Sequence, residues 1–311
     1  MILCSVSSIS SLTEEEKHKM REVSDSVFFT DDIEKIPYEK INILVTYGYD
    51  IDNNLLRKMP SLKWIHIFQT GIEHIPVKEI LNKEILLTHT KDVHGIPISE
   101  YVLGMILYTL RDMQRFISNK NNKVWDKGLP LNEAYGRNVT IFGTGSIGSE
   151  IAKLLKKIDM HIIGINRTGK PKEHFDEVFK MERRLNVINK SDFIVLIMPA
   201  TEETYHCISE NEFQAMSEQT FLINIGRGSL IDTKALIKNL IRGKIKGAAL
   251  DVFEKEPLSN DSPLWHLDNL FITPHISSYT DKYNLRCIQE FIKNYSLFKA
   301  GKKLRNRVIN I

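Results

Sequence analysis

Residues 139–142, Val-Thr-Ile-Phe, form an apolar run that ends in Gly143-Thr144-Gly145-Ser146-Ile147-Gly148, and a helix-like segment from Ser149 to Lys157 follows at once. No other stretch limits the fold so tightly. In a strand–turn–helix of this kind the first glycine makes the tight turn. The second lets backbone approach a pyrophosphate, and the third lets helix pack on strand. The open N–H groups of the helix N-terminus would then face phosphate. A second apolar run at 161–165 completes the context that a dinucleotide fingerprint requires.

At 311 residues the chain has room for about two domains. Its hydrophobic share of 42% is ordinary for a globular protein. Lys+Arg 42 against Asp+Glu 39 is too balanced to argue for a nucleic-acid partner. Cys4, Cys207 and Cys287 lack paired spacing, which suits a reducing, cytoplasmic compartment and neither a disulfide framework nor a metal site. The longest apolar run, around 98–110, carries Ser99 and Glu100 and is too short to span a bilayer. No basic-then-apolar leader is seen at the N-terminus, so no signal peptide is expected.

Residues 41–46 and 62–68 read as strands and 53–59 as a helix, the alternation of a parallel sheet with helical crossovers. A long helix is expected over 98–118. Six further strands follow, near 139–142, 161–165, 193–197, 221–225, 248–250 and 270–272, as in the doubly wound dinucleotide fold. The tail, 279–300, reads as one helix with apolar positions Leu285, Ile288, Phe291, Ile292, Tyr295 and Phe298. The expectation is α/β: two Rossmann-like domains with doubly wound parallel sheets, one inserted in the other. Residues 1–97 and 277–311 would form a flavodoxin-like substrate domain, and 98–276 the cofactor domain. Two crossings would make a cleft, where small-molecule sites tend to lie.

Polar groups stand just past three β-runs: Asn224-Ile225-Gly226-Arg227-Gly228, Asp251-Val252-Phe253-Glu254-Lys255-Glu256-Pro257, and Thr273-Pro274-His275-Ile276-Ser277. Strand C-termini are where an open parallel sheet binds ligands. With the glycine turn and Met198-Pro199-Ala200-Thr201-Glu202-Glu203-Thr204, these segments resemble the D-2-hydroxyacid dehydrogenases in motif and in order, over nearly the whole chain. The resemblance implies that Arg227, Glu256 and His275 are the catalytic trio. It implies a cofactor held by Gly143, Thr144, Gly145, Ser146, Ile147, Gly148, Asn166, Arg167, Thr168, Pro199, Thr204, Ile225, Gly226, Asp251 and Ser277. It also implies that the loop after the 62–68 strand, with Thr70, Gly71, Ile72 and Glu73, seats the substrate carboxylate, and it suggests a homodimer.

The chemistry agrees with those residue types. Reducing a 2-keto acid needs a hydride and a proton for the forming alkoxide. Imidazolium is a suitable acid near neutral pH. A carboxylate beside it fixes its orientation and favours its charged form. A guanidinium grips a carboxylate with paired donors and polarises the adjoining carbonyl. Glu254 competes with Glu256 for the carboxylate role, and His94 is a reserve proton donor. After the second strand stand Asn166, Arg167 and Thr168, with no acid until Glu173. A carboxylate there would select NAD; Arg167 and the Thr168 hydroxyl favour a 2′-phosphate, hence NADP(H), with NAD(H) possible. Within the resemblance the glyoxylate/hydroxypyruvate reductase branch fits best. Phosphoglycerate dehydrogenase without a regulatory domain is one alternative, and a dinucleotide-sensing corepressor-like protein is the other.

Overall fold

The computed structural model describes residues 1–5, 12–24, 26–29, 36–72, 74–91 and 93–309. Two compact units emerge, Met1–Val93 with Thr280–Ile311, and His94–Tyr279. At the first crossing the helix Gly95–Leu110 begins ahead of Pro97, since proline is tolerated in a first turn, where its missing N–H has no intrahelical partner to lose.

The first unit holds a parallel sheet. Its strands are β1 (Ile2–Ser5), β2 (Val27–Phe29), β3 (Ile43–Thr46), β4 (Trp64–Ile67) and β5 (Leu86–His89), in the order β2-β1-β3-β4-β5. That is the flavodoxin-like order. Every residue of β1, β3 and β4 is buried, because helices cover both faces of a parallel sheet. The helix Tyr283–Lys299 returns to this unit and buries Cys287, Ile288 and Phe291. The Phe291 and Phe298 rings each stack on Trp64 at 5.2 Å. Burying one such ring contributes about 1.5–3 kcal/mol.

In the second unit seven parallel strands run β12-β11-β10-β9-β6-β7-β8. They are β6 (Asn138–Phe142), β7 (His161–Asn166), β8 (Glu177–Lys180), β9 (Phe193–Leu196), β10 (Phe221–Asn224), β11 (Gly247–Leu250) and β12 (Leu270–Ile272). Alternate residues feed two cores. Phe142, Ile165, Ile194, Leu196, Leu222 and Leu250 face one; Ile141, Ile162, Phe193, Val195, Ile223 and Ala249 face the other. The strand order reverses between β6 and β9, the switch point of a doubly wound sheet. The six strands expected from the sequence are present, and β8 is an additional edge strand. The single helix expected over 98–118 is two: Gly95–Leu110 and Met113–Asn121. Asp112 between them adopts φ 47, a left-handed conformation that stops a right-handed helix and that Asp tolerates better than most residues.

Candidate active site

Because β6 to β12 are all parallel, their C-terminal ends share one edge. The glycine turn leaves β6 at that edge, beside the switch point. A Cβ on Gly143 would stand 2.8 Å from the Ile197 carbonyl oxygen, and one on Gly148 only 1.9 Å from that of Gly143. Backbone contact of this kind requires glycine at both positions. Gly145 differs, since a Cβ there meets no atom within 4 Å. It caps the helix Ser146–Lys156, whose N-terminus has neither a side-chain cap nor an acid in its first turn. Open N–H groups with free space beyond them fit a pyrophosphate. When bound, a nicotinamide dinucleotide would supply hydride chemistry here.

At the end of β7, Asn166 turns its side chain inward. Its amide donates to Thr144 Oγ1 at 2.9 Å, and its Oδ1 accepts from the amides of Thr168 at 2.9 Å and Gly169 at 2.7 Å. The turn is thereby fixed with Arg167 and Thr168 exposed. Past β9, Thr204 Oγ1 donates to the Pro199 carbonyl at 2.8 Å and closes the 199–204 loop. Ile225 and Gly226 are buried behind Arg227.

Arg227 follows β10 on a turn that Asn224 braces. The Asn224 amide donates to the Arg227 carbonyl at 2.9 Å, and its Oδ1 accepts from the Gly226 amide at 3.1 Å. A Cβ on Gly228 would sit 1.8 Å from the Phe253 carbonyl carbon, so this turn lies directly on the segment that carries Glu256. The Arg227 guanidinium is exposed, with one internal bond to the Gly226 carbonyl at 2.7 Å.

Glu256 Oε2 meets His275 Nδ1 at 2.8 Å, and its Oε1 accepts from the Phe253 amide at 2.9 Å. Partial burial opposes the Glu256 charge, but the bonds from His275 and Phe253 outweigh it and hold the carboxyl below its ordinary range. With Nδ1 engaged, Nε2 is the His275 nitrogen left to meet a substrate. Glu254, the rival carboxylate, bonds instead to His206 Nε2 and to Thr233 Oγ1. His94 lies at the start of the helix Gly95–Leu110, where burial pushes its imidazole down and so disfavours the charged acid.

Asp251, which the resemblance assigns to the cofactor, also holds the histidine loop through its buried carboxylate. Oδ1 accepts from Thr273 Oγ1 at 2.6 Å and from the Ile276 amide at 2.8 Å; Oδ2 accepts from the Ser277 amide at 2.9 Å. The sequence placed Asp251, Thr273 and Ser277 in motifs but gave no sign that they bond to one another. His206 carries no motif signal, and Asn224, part of the 224–228 motif, shows its bracing role only in the turn geometry. In the first unit, Thr70, Gly71 and Ile72 follow β4, and the Thr70 carbonyl lies 2.8 Å from His89 Nδ1. Glu73 lies outside the described residues. Among the described residues no group of three or more His, Cys, Asp or Glu side chains is arranged to hold a metal ion.

A doubly wound sheet with this turn at its switch point and a paired histidine on the same edge defines a dinucleotide-dependent oxidoreductase. Residues 103–277 match the model of the D-isomer specific 2-hydroxyacid dehydrogenase NAD-binding domain. A glyoxylate reductase of Pyrococcus horikoshii is 33% identical over 91% of this chain and 89% of its own length. Another, from Pyrococcus furiosus, is 33% identical over 86% of this chain and 84% of its own. A solved 2-hydroxyacid dehydrogenase family protein from Aeromonas salmonicida superposes with a TM-score of 0.77 at 30% identity, covering 99% of this chain and 98% of that one. The chain belongs to the D-isomer specific 2-hydroxyacid dehydrogenases, which act on CH–OH groups.

Proposed function

We propose that this dehydrogenase is an NADPH-dependent reductase of a small 2-keto acid of the glyoxylate or hydroxypyruvate type, with Arg227, Glu256 and His275 as its catalytic trio. The observation that carries the proposal is the His275–Glu256 pair, 2.8 Å apart on the edge that also bears Arg227 and the glycine turn. In this reading Arg227 grips the substrate carboxylate and polarises its carbonyl. His275 Nε2 delivers the proton to the forming alkoxide, and Glu256 fixes the ring and favours its charged form. The 70–72 loop offers backbone N–H groups to the substrate carboxylate. Pro199, Thr204, Ile225, Gly226, Asp251 and Ser277 line the cofactor beside the glycine turn. The glyoxylate reductase relatives support the substrate class. Cofactor preference rests on Arg167 and Thr168, exposed on a turn without a carboxylate.

The deciding experiment follows cofactor oxidation with glyoxylate, hydroxypyruvate and phosphohydroxypyruvate, each with NADPH and NADH in parallel. Fastest turnover is expected with NADPH and one of the first two acids. Equal use of NADH would overturn the cofactor part, and a clear preference for phosphohydroxypyruvate would make the enzyme a phosphoglycerate dehydrogenase.

A homodimer belongs to the same proposal. Phe116, Ile117, Val124 and Trp125 are all exposed in one stretch of the second unit, and Trp125 is 89% exposed. A second copy packed against this stretch would cover these side chains, and it is the proposed occupant. A cytoplasmic setting is supported by Cys4, Cys207 and Cys287, all buried and none in a disulfide. No helix among the described residues is long and apolar enough to cross a membrane.

A further inference from the structure

The histidine loop is tied to the helix Gly95–Leu110 through Tyr101 and Thr273, two side chains that play no part in the scheme above. His275 itself has φ 56, a left-handed conformation, and its amide donates to the Asp251 carbonyl at 2.8 Å. A non-glycine residue in that region persists only when its surroundings hold it there. Part of the hold is the Asp251 carboxylate, which takes Thr273 Oγ1 and the amides of Ile276 and Ser277, on either side of His275. Thr273 has a single hydroxyl proton, and it points to Asp251 Oδ1 at 2.6 Å. The contact between Thr273 Oγ1 and Tyr101 Oη, at 2.8 Å, must therefore have tyrosine as donor. Burial, helped by the Asp251 charge and opposed by the bond with Thr273, pushes the Tyr101 phenol up to about 12, so it remains a donor throughout the working range.

We infer that Tyr101 is a positioning residue for the proton donor: its hydroxyl orients Thr273, which with Asp251 sets the loop that aims His275. The inference rests on the proposed role of His275. Two hydroxyls and a carboxylate in series polarise one another, so loss of the outermost member should loosen the loop without removing any group that touches substrate.

The test compares Tyr101→Phe, Thr273→Val and Thr273→Ser with wild type and with His275→Ala, under the best keto acid and cofactor from the panel. Tyr101→Phe removes one oxygen and keeps the ring; Thr273→Val keeps shape and loses the hydroxyl; Thr273→Ser restores the hydroxyl. Expected is a fall in kcat of about two- to tenfold in Tyr101→Phe and at least as much in Thr273→Val. Thr273→Ser should recover most of it, and cofactor Kd, read by fluorescence titration, should change less than about twofold in all three. Wild-type kcat in Tyr101→Phe, or equal kcat in the Val and Ser variants, overturns the positioning role. A fall in kcat matched by the loss of cofactor affinity overturns it too, since that is damage to the fold. His275→Ala separates the two readings. If it is inactive while the other variants are normal, only the positioning role falls; if it is fully active, the reading of His275 itself falls.

Discussion

Glu254 and Glu256 stand two positions apart, and their partners give them different work. Glu256 holds His275, whereas Glu254 holds His206 and Thr233. Replacing His275 with Ala should lower kcat for keto-acid reduction about 10²–10⁴-fold, the usual share of general acid catalysis, with cofactor affinity nearly intact by titration. Because the folded-state Glu256 carboxyl lies below its ordinary value, it stays charged until pH falls through that lowered value. The His275–Glu256 pair is thus kept across neutral pH and lost only in acid. Reduction should accordingly lose its rate only in acid, below the ordinary carboxylate range, as a pH–rate profile would show. Glu256→Gln takes the carboxylate from His275 Nδ1, so kcat should fall while cofactor affinity by titration stays near wild type. Glu254→Gln, which touches His206 and Thr233 instead, should leave kcat near wild type. At Arg167, loss of a charge-assisted contact to a 2′-phosphate should weaken NADPH about tenfold or more in Arg167→Ala, with NADH little changed in a parallel titration.

Elements were legible where residues carry a long pattern or a conformational demand. The turn after β6 is such a place, and two of its glycines separate fold from binding. In Gly148→Ala the new methyl would meet the Gly143 carbonyl at 1.9 Å, backbone that cannot swing aside. The cost should exceed the roughly 1–3 kcal/mol of ordinary overpacking, read as a large drop in the thermal midpoint. In Gly145→Ala the methyl enters open space. That variant should melt close to wild type and yet bind cofactor poorly, because the space it fills is the one proposed for pyrophosphate. Illegible elements were short or mixed in character. β8 has exposed charged residues at both ends, Glu177 and Lys180, and no apolar run; β1 and β5 each open on two large apolar residues and end on a polar one, Ser5 or His89. The helix break at Asp112 follows from a single backbone angle that no periodicity announces. The carboxylate–histidine pairing was legible through the family's motifs, but the bond from Thr273 to Asp251 was not, since no motif pairs those two side chains. The helix Met113–Asn121 and the stretch after it carry the apolar surface proposed for dimerisation. Trp125→Glu should convert the dimer to monomer by sedimentation.

Across the whole molecule, pH acts through a residue that takes no part in the proposed chemistry. His66 on β4 is fully buried among Trp64, Phe68 and Phe291, with Nδ1 2.7 Å from Thr88 Oγ1. Burial, then the charge of His89, pushes it down to about 3 from 6.5. The unfolded chain therefore takes up a proton that the folded chain refuses between those two values, and stability is lost as pH falls below about 6. Urea midpoints at descending pH should show a slope of at most about 1.4 kcal/mol per pH unit, flattened in His66→Gln even if that variant is less stable overall. The first unit has a further property with a cost in time. Trp64 on its sheet is covered by Phe291 and Phe298, which the ribosome makes more than 200 residues later. At about 5–20 residues per second, that apolar face waits roughly 10–45 seconds for its cover. The intervening unit, one unbroken segment, can fold in that interval. Nascent-chain aggregation and chaperone capture should therefore concentrate on residues 1–93.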